Sequence, residues 1–319
     1  MTPDQTPAPA ETPKPGPSNL QLRTIYGLLG AALLVGSVWF SPWTFGLFFA
    51  FVQAVMLWEF YRMMRAGGYA PAVGIGLVIS LLMFGATLYV SNYIMGSKGI
   101  LAEPTQHEGV GELITISFWR SQSWTTFFAI PGGLLLITTV LIVIREMFFW
   151  PNHSQPFANV AATLTGLLYI SLPMTALIML AFMPYGYDYR RVIVLLFLIW
   201  SSDIGAYAAG KTFGKHKLAP KISPGKTWEG FAGGVVLTLV MGWALGYLIP
   251  ELPLAHRLVA AGVVAVFGPL GDLAESMLKR SVGMKDSGSI MPGHGGLLDR
   301  FDAFLLVLPV LVLLRLLVG

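Results

Sequence analysis

Residues 195–212 read LLFLIWSSDIGAYAAGKT, and the choice between two fold classes turns on them. Letter for letter, 205–212 (GAYAAGKT) satisfy the phosphate-loop pattern G-x-x-x-x-G-K-[ST], behind an apolar run that could stand as the preceding strand of an α/β nucleotide-binding domain. That motif needs a helix to open at its lysine, because the helix N-terminus completes the phosphate cradle. Here Lys211 and Thr212 are followed by FGKHKLAPK, broken by Gly214 and Pro220. The apolar run, taken from 192 to 210, is about the length a helix needs to cross ~30 Å of hydrocarbon at 1.5 Å per residue. The stretch reads as a membrane span, and its phosphate-loop spelling as coincidence. The segment SPGKTWEG (223–230) fails the same test, since Pro220 stands where the first glycine belongs.

Working outward, composition agrees. Of 319 residues, 55% are apolar and 11% charged, against about 25% charged in an average soluble domain. The absence of cysteine excludes disulfides, thiolate zinc sites and iron–sulfur clusters. Apolar stretches recur at 24–40, 43–60, 73–95, 124–144, 157–183, 192–210, 230–249, 258–278 and 302–318, so the expected fold is all-α: a polytopic membrane protein of about nine transmembrane helices. Prolines at 3, 7, 9, 13, 15 and 17 make residues 1–22 read as a disordered tail. No basic start or small-residue cleavage site accompanies the first apolar segment, so it is expected to be a retained span. With the N-terminus in the cytoplasm, Lys14, Arg23, Arg62, Arg65, Arg145, Lys211, Lys215, Lys217, Lys221, Lys226, Lys279, Arg280, Lys285 and Arg300 fall inside. Only Lys98, Arg120, Arg190, Arg191 and Arg257 fall outside, the asymmetry of a bacterial inner-membrane protein. Trp43, Trp58, Tyr61, Trp124, Trp150, Tyr185 and Trp228 fit an interfacial belt.

Polarity divides the chain into the tail, N-terminal spans over 23–190 with one longer loop at 96–123, and a C-terminal catalytic region over 191–319. The last holds two cytoplasmic loops, 211–229 and 279–301, rich in Lys, Gly, Ser and His. No internal repeat or inverted pair of broken helices points to a secondary transporter.

Ionised carboxylates at membrane depth are costly and mark functional candidates. Asp203 interrupts the opening stretch. Asp272 and Glu275 stand i,i+3 on one helical face, as do Asp299 and Asp302 at the start of the last span, and Glu275 stands i,i+4 to Lys279. Two helices presenting carboxylates to one basin meet the needs of Mg²⁺, which takes oxygen ligands. The plainer alternative makes Asp302 a helix cap and Glu275 a partner of Lys279. The basic residues form a second group: Lys226 in ISPGKTWEG with Ser223, Thr227 and Glu229, then Lys279, Arg280, Lys285, His294 and Arg300. They could surround a nucleotide triphosphate; positive-inside charge facing anionic lipid accounts for Lys215 and Lys217 without such a ligand. Gly293, Gly295 and Gly296 around His294 would admit backbone amides close to a phosphate. Gly230, Gly234, Gly242 and Gly246 form a flat face, with the partner helix left open between the same chain and a second copy.

Residues 276–302, SMLKRSVGMKDSGSIMPGHGGLLDRFD, resemble the signature of phosphatidate cytidylyltransferases, also called CDP-diacylglycerol synthases. The pattern S-x-x-K-R-x-x-x-x-K-D then P-x-H-G-G-x-x-D-R-x-D is met at Ser276, Lys279, Arg280, Lys285, Asp286, Pro292, His294, Gly295, Gly296, Asp299, Arg300 and Asp302. Upstream, D-x-x-A-Y at Asp203, Ala206 and Tyr207, F-G-K at 213–215, S-P-x-K-T-x-E-G at 223–230 and G-D-L-x-E-S at 271–276 are similar too; Gly225 is a small departure. The resemblance implies CTP plus phosphatidate giving CDP-diacylglycerol and pyrophosphate, with Mg²⁺, with room for a second cation, and a homodimer. It carries metal ligation onto Asp272 and Asp299, with Asp203, Asp302 and Glu275 as further candidates. Lys226, Lys279, Arg280, Lys285 and Arg300 are expected to hold phosphates, and Ser223, Thr227 and His294 to position CTP. Tyr207, Glu229, Gly295 and Gly296 complete the expected substrate site. The partners expected are CTP, phosphatidate and membrane lipid, and no nucleic acid. A CTP-dependent lipid-alcohol kinase would share the layout but pass on only the γ-phosphate; an ion-coupled transporter would hold its acids at mid-span.

Overall fold

Local chemistry sets where each apolar stretch begins its helix. Ser41 and Thr44 exchange a capping box, Ser41 Oγ accepting from Thr44 N at 3.1 Å and Thr44 Oγ1 from Ser41 N at 3.0 Å, and a proline follows to start α2. Proline also opens α4 and α5, Asp188 caps α6, and Thr227 caps α7 by accepting from Gly230 N at 3.1 Å. The computed structural model describes residues 19–98, 129–182, 186–288 and 295–318. Among these it contains α1 (Asn19–Phe40), α2 (Pro42–Ala66), α3 (Val73–Lys98), α4 (Ile130–Phe149), α5 (Pro156–Phe182, with a π-helical turn at Leu167–Ser171), α6 (Tyr189–Phe213), α7 (Trp228–Ala244), α8 (Leu254–Ser281) and α9 (Leu298–Val318). One antiparallel hairpin, β1 (Lys217–Ala219) and β2 (Ser223–Thr227), joins α6 to α7.

Helices α2 to α8 are each long and apolar enough to cross a bilayer, and the protein is an all-α integral membrane protein. With α1, whose apolar stretch is shorter, and α9, whose start bears charge, the described residues hold nine helices, seven of them long and apolar enough to span where nine spans were expected. Helix α5 sits at the centre, with Met174, Ala176, Leu177 and Ile178 fully buried. Outward faces keep Leu47, Leu136 and Phe148 exposed, as lipid contact requires.

The glycine face of α7 is spent within the chain. A Cβ on Gly234 would lie 3.0 Å from the Ser202 carbonyl of α6, and one on Gly205 would lie 2.6 Å from the Gly233 carbonyl of α7. At the other end, a Cβ on Gly242 would lie 2.7 Å from Ala261 Cβ of α8. Bare backbone contact thus draws α6, α7 and α8 together.

Several boundaries differ from the sequence reading. Helix α1 is already present at Asn19, within the stretch expected as a tail, since NLQL can be helical; residues 1–18 lie outside the described residues, as do 99–128, with most of loop 96–123 and Trp124, and Tyr185. Helix α4 runs to Phe149 rather than ending at 144, since Arg145 and Glu146 find partners there. Arg145 donates to Ala70 O at 3.1 Å, and Glu146 accepts from Asn159 Nδ2 at 2.9 Å. The first polar loop shrinks to 214–227, and α8 runs to Ser281 while α9 begins at Leu298, so Lys279, Arg280, Asp299 and Arg300 ride on helices rather than in the loop expected at 279–301. Tyr61 is fully buried instead of interfacial: Gly76 and Gly166 open a slot for its ring, and its hydroxyl donates to Thr163 O at 2.9 Å. Residues 205–212 are helical throughout, which disposes of the phosphate loop.

Candidate active site

Three elements converge at the end of the bundle where the hairpin lies. Capping by Thr227 fixes β2 against α7 and leaves Lys226, one residue earlier, aimed at α8. Its Nζ lies 2.6 Å from Asp272 Oδ2 and donates to Pro269 O at 3.2 Å. The spacing i, i+3, i+4, i+7 then puts Asp272, Glu275, Ser276 and Lys279 on one face of α8. Ser276 Oγ donates to Asp272 Oδ1 at 3.3 Å, and Lys279 Nζ lies 2.6 Å from Glu275 Oε2.

Helix α9 meets this face because Gly271 has no side chain: a Cβ there would fall 2.5 Å from Asp302 O and 3.0 Å from Ala303 Cα. Asp302 consequently joins Asp272 and Glu275, with one carboxylate oxygen of each inside a mutual spacing of 4.8 Å. Glu275 is 1% exposed. Its Oε1 is buried without a hydrogen-bond partner among the described residues, an arrangement that costs several kcal/mol for a charged oxygen unless a cation or proton meets it. The donor set is all oxygen and highly charged, and could hold a hard divalent cation.

Asp299 lies beside Glu275 and shares Lys279 with it. Its Oδ1 lies 2.6 Å from Lys279 Nζ, while Oδ2 accepts from Gly296 N at 2.9 Å, Ser287 Oγ at 3.0 Å and Ser287 N at 3.1 Å. The Gly296 amide is thereby committed to Asp299, and Gly295 supplies the left-handed turn (φ +82°) ahead of it. Asp203 is exposed on α6, within electrostatic reach of Asp272, Lys226 and Arg300. Tyr207, one turn on, is exposed with Lys211 Nζ over its ring at 5.7 Å.

The remaining residues sit around this centre. Glu229 fastens the base of the hairpin, accepting from Lys215 N at 3.1 Å and meeting the His216 ring at 2.6 Å. Thr227 spends its hydroxyl on the α7 cap, and Ser223 pairs in register with Ala219. Arg280 donates to Met284 O at 3.4 Å, while Lys285 and Arg300 are exposed. His294 and Gly293 lie outside the described residues.

Sequence reasoning passed over Glu59, Arg62 and Ser287 as site residues. Glu59, on α2, is fully buried. It accepts from Leu298 N at 2.9 Å, Leu297 N at 3.2 Å and Ser287 Oγ at 3.2 Å. An acid inside the apolar run FVQAVMLWEFYR was the available signal, by the same rule that singled out Asp203.

Residues 21–318 match a family model described as the cytidylyltransferase family. A protein of Bacillus subtilis (strain 168) named phosphatidate cytidylyltransferase is 33% identical over 299 residues, 93% of this chain and 97% of the relative. One of the same name from Staphylococcus saprophyticus is 35% identical over 208 residues, covering 59% of this chain and 80% of the relative. Another, from Staphylococcus aureus (strain COL), is 33% identical over 228 residues, or 63% and 85%.

Proposed function

This chain belongs to the cytidylyltransferase family, and from that premise we propose that it transfers CMP from CTP to phosphatidate, giving CDP-diacylglycerol and pyrophosphate. The observation that carries the reading is the convergence of Lys226, Asp272, Glu275, Lys279 and Asp302 from three elements at one end of a membrane bundle.

The reaction sets an electrostatic problem. A phosphate monoester with a second pKa near 6 is largely dianionic at neutral pH, so its oxygen can attack the α-phosphorus of CTP without a strong general base. The new P–O bond forms as the bond from the α-phosphorus to the bridging oxygen breaks, and the electron pair leaves with pyrophosphate. Lys226 and Lys279 offer the cations that bring the two anions together and hold the leaving charge. Lys226 reaches the cluster from the hairpin and can exchange its Asp272 contact for a phosphate oxygen. Asp272, Glu275 and Asp302 would hold Mg²⁺, for which the unpartnered Glu275 oxygen is a fitting ligand; the ion would neutralise phosphate charge and polarise phosphoryl oxygens. Lys279 fixes Asp299 and Glu275 together beside that set.

Lys211, Lys215, Lys217, Lys221, Lys226, Lys279, Arg280, Lys285 and Arg300 gather at the hairpin end, against Arg190, Arg191, Arg257 and Arg315 toward the other, a bias that supports a cytoplasmic orientation for the site in a bacterial inner membrane. CTP would reach it from water while the acyl chains of phosphatidate remain in lipid.

The test is transfer of label from [³H]CTP into chloroform-extractable lipid by purified protein with phosphatidate and Mg²⁺. Labelled lipid with the wild type, lost in Asp272→Asn at unchanged folding, is the expected result. Absence of cytidine from the lipid product refutes the reading.

A further inference from the structure

We infer that Glu59 and Arg62, on a helix of the N-terminal half that carries none of the motifs above, are positioning residues for the proposed transfer, holding Ser287 and the start of α9 so that Asp299 stays registered on Lys279. The inference rests on the reaction proposed above and adds to it the part played by α2.

Glu59 is an acid within a membrane helix, yet the contacts it makes are neutral. Both of its oxygens are taken by donors that follow α8 or open α9: Leu297 N on Oε1, with Leu298 N and Ser287 Oγ on Oε2. A carboxylate accepting several such bonds satisfies amides that the start of a helix leaves without intrahelical acceptors. Arg62, one turn later on the same face, donates to the Ser287 carbonyl. Ser287 is therefore gripped at three atoms by two partners on α2 and one on α9: its carbonyl by Arg62, its single hydroxyl proton forked between Glu59 and Asp299, its amide by Asp299.

The grip leads straight to the charged cluster. The Asp299 oxygen opposite the one held by Ser287 and Gly296 lies 2.6 Å from Lys279, which lies 2.6 Å from Glu275. A shift of Ser287 moves Asp299, and through Lys279 it moves the carboxylate set proposed to act on CTP.

The glycines of the loop fit this role. A Cβ on Gly296 would press on both oxygens of Glu59, at 2.5 and 2.6 Å, and one on Gly288 would lie 2.8 Å from its carboxyl carbon. Bare backbone at 288 and 296 lets the loop close on the Glu59 carboxylate. Gly296 was expected to approach a phosphate; its lack of a side chain is explained here by an acid from a different half of the chain.

The experiment measures kcat and KM for [³H]CTP transfer into lipid with wild type, Glu59→Gln, Ser287→Ala and the double variant, each checked for a monodisperse peak in detergent. Glu59→Gln keeps the side-chain shape but sets an amide NH₂ where an acceptor stood. Expected is a fall in kcat of roughly 10–100-fold, the range found when groups that orient a site's ligands are removed, with KM for phosphatidate within about twofold. Because both residues act through Asp299, the double variant should be no slower than the slower single. Wild-type kcat in Glu59→Gln, or losses that multiply in the double variant, overturns the inference. Should Glu59→Gln fail to fold, Ser287→Ala decides alone: it removes one hydroxyl and spares every backbone bond, and an unchanged kcat overturns the positioning role. A wild type that labels no lipid would instead refute the reaction itself, so the two failures are distinct.

Discussion

Replacing Lys279 with methionine would separate what holds the site together from what makes it work. Lys279 Nζ lies 2.6 Å from both Glu275 and Asp299, and the side chains are 12%, 1% and 12% exposed respectively. Lys279→Met keeps most of the volume and strands two carboxylates in a poorly hydrated space. Removing one partner of a buried ion pair costs about 3–5 kcal/mol. For a chain of this size that lowers an unfolding midpoint by on the order of 10 °C. The two acids do not suffer equally. Asp299 keeps three donors from Ser287 and Gly296, whereas Glu275 loses its cation and already has one bare oxygen. Adding Glu275→Gln to Lys279→Met removes the worse of the two stranded charges, and more than half of the lost stability should return. Cytidylyl transfer should not return, since the double variant lacks both a phosphate-facing cation and a carboxylate of the cluster. The assay is thermal unfolding of detergent-solubilised protein in a chelator, so that no divalent cation substitutes for the lysine, run beside the label-transfer assay. A single variant that melts with the wild type, or a double variant that melts below the single, would falsify the ledger of charge drawn here.

Three further outcomes follow from the geometry. Chelation should abolish transfer and added Mg²⁺ restore it, while Asp302→Asn should raise the Mg²⁺ needed for half-maximal rate by roughly 10-fold or more; an unchanged Mg²⁺ response removes Asp302 from the set. Gly233→Val should cost about 1–3 kcal/mol by overpacking, because a Cβ there meets Ala209 and lies 2.8 Å from Gly205 O; a wild-type melting midpoint in detergent contradicts this. Burial opposes ionisation of Asp188, but the hydrogen bonds from Arg190, with the charges of Arg190 and Arg191, outweigh it and hold the carboxyl below its usual range. A lowered folded value stabilises above the unfolded value near 4 and fades as pH falls through the folded one. Asp188→Asn should accordingly lower the midpoint at neutral pH and flatten its decline in acid, and a decline as steep as the wild type's refutes the assignment.

Sequence alone determined that this is a bundle of membrane helices. A run of apolar residues long enough to cross hydrocarbon can satisfy its backbone only as a helix, whatever packs beside it. Composition likewise singled out the candidate acids, since Asp272, Glu275, Asp299 and Asp302 are conspicuous wherever charge is expensive, and helical spacing already put Glu275 beside Lys279. The tertiary structure decided which carboxylates share a space. Gly271 brings Asp302 against α8, and the same approach sets Asp299 beside Glu275 on Lys279 with its other oxygen on the loop amides, an arrangement that i,i+3 spacing on each helix leaves undetermined because it depends on the rotation of one helix against another. It also decided the meaning of Glu59 and Gly296. They are 237 positions apart, and contact across that separation follows from how α2, α8 and α9 pack, which periodicity within any one helix does not encode.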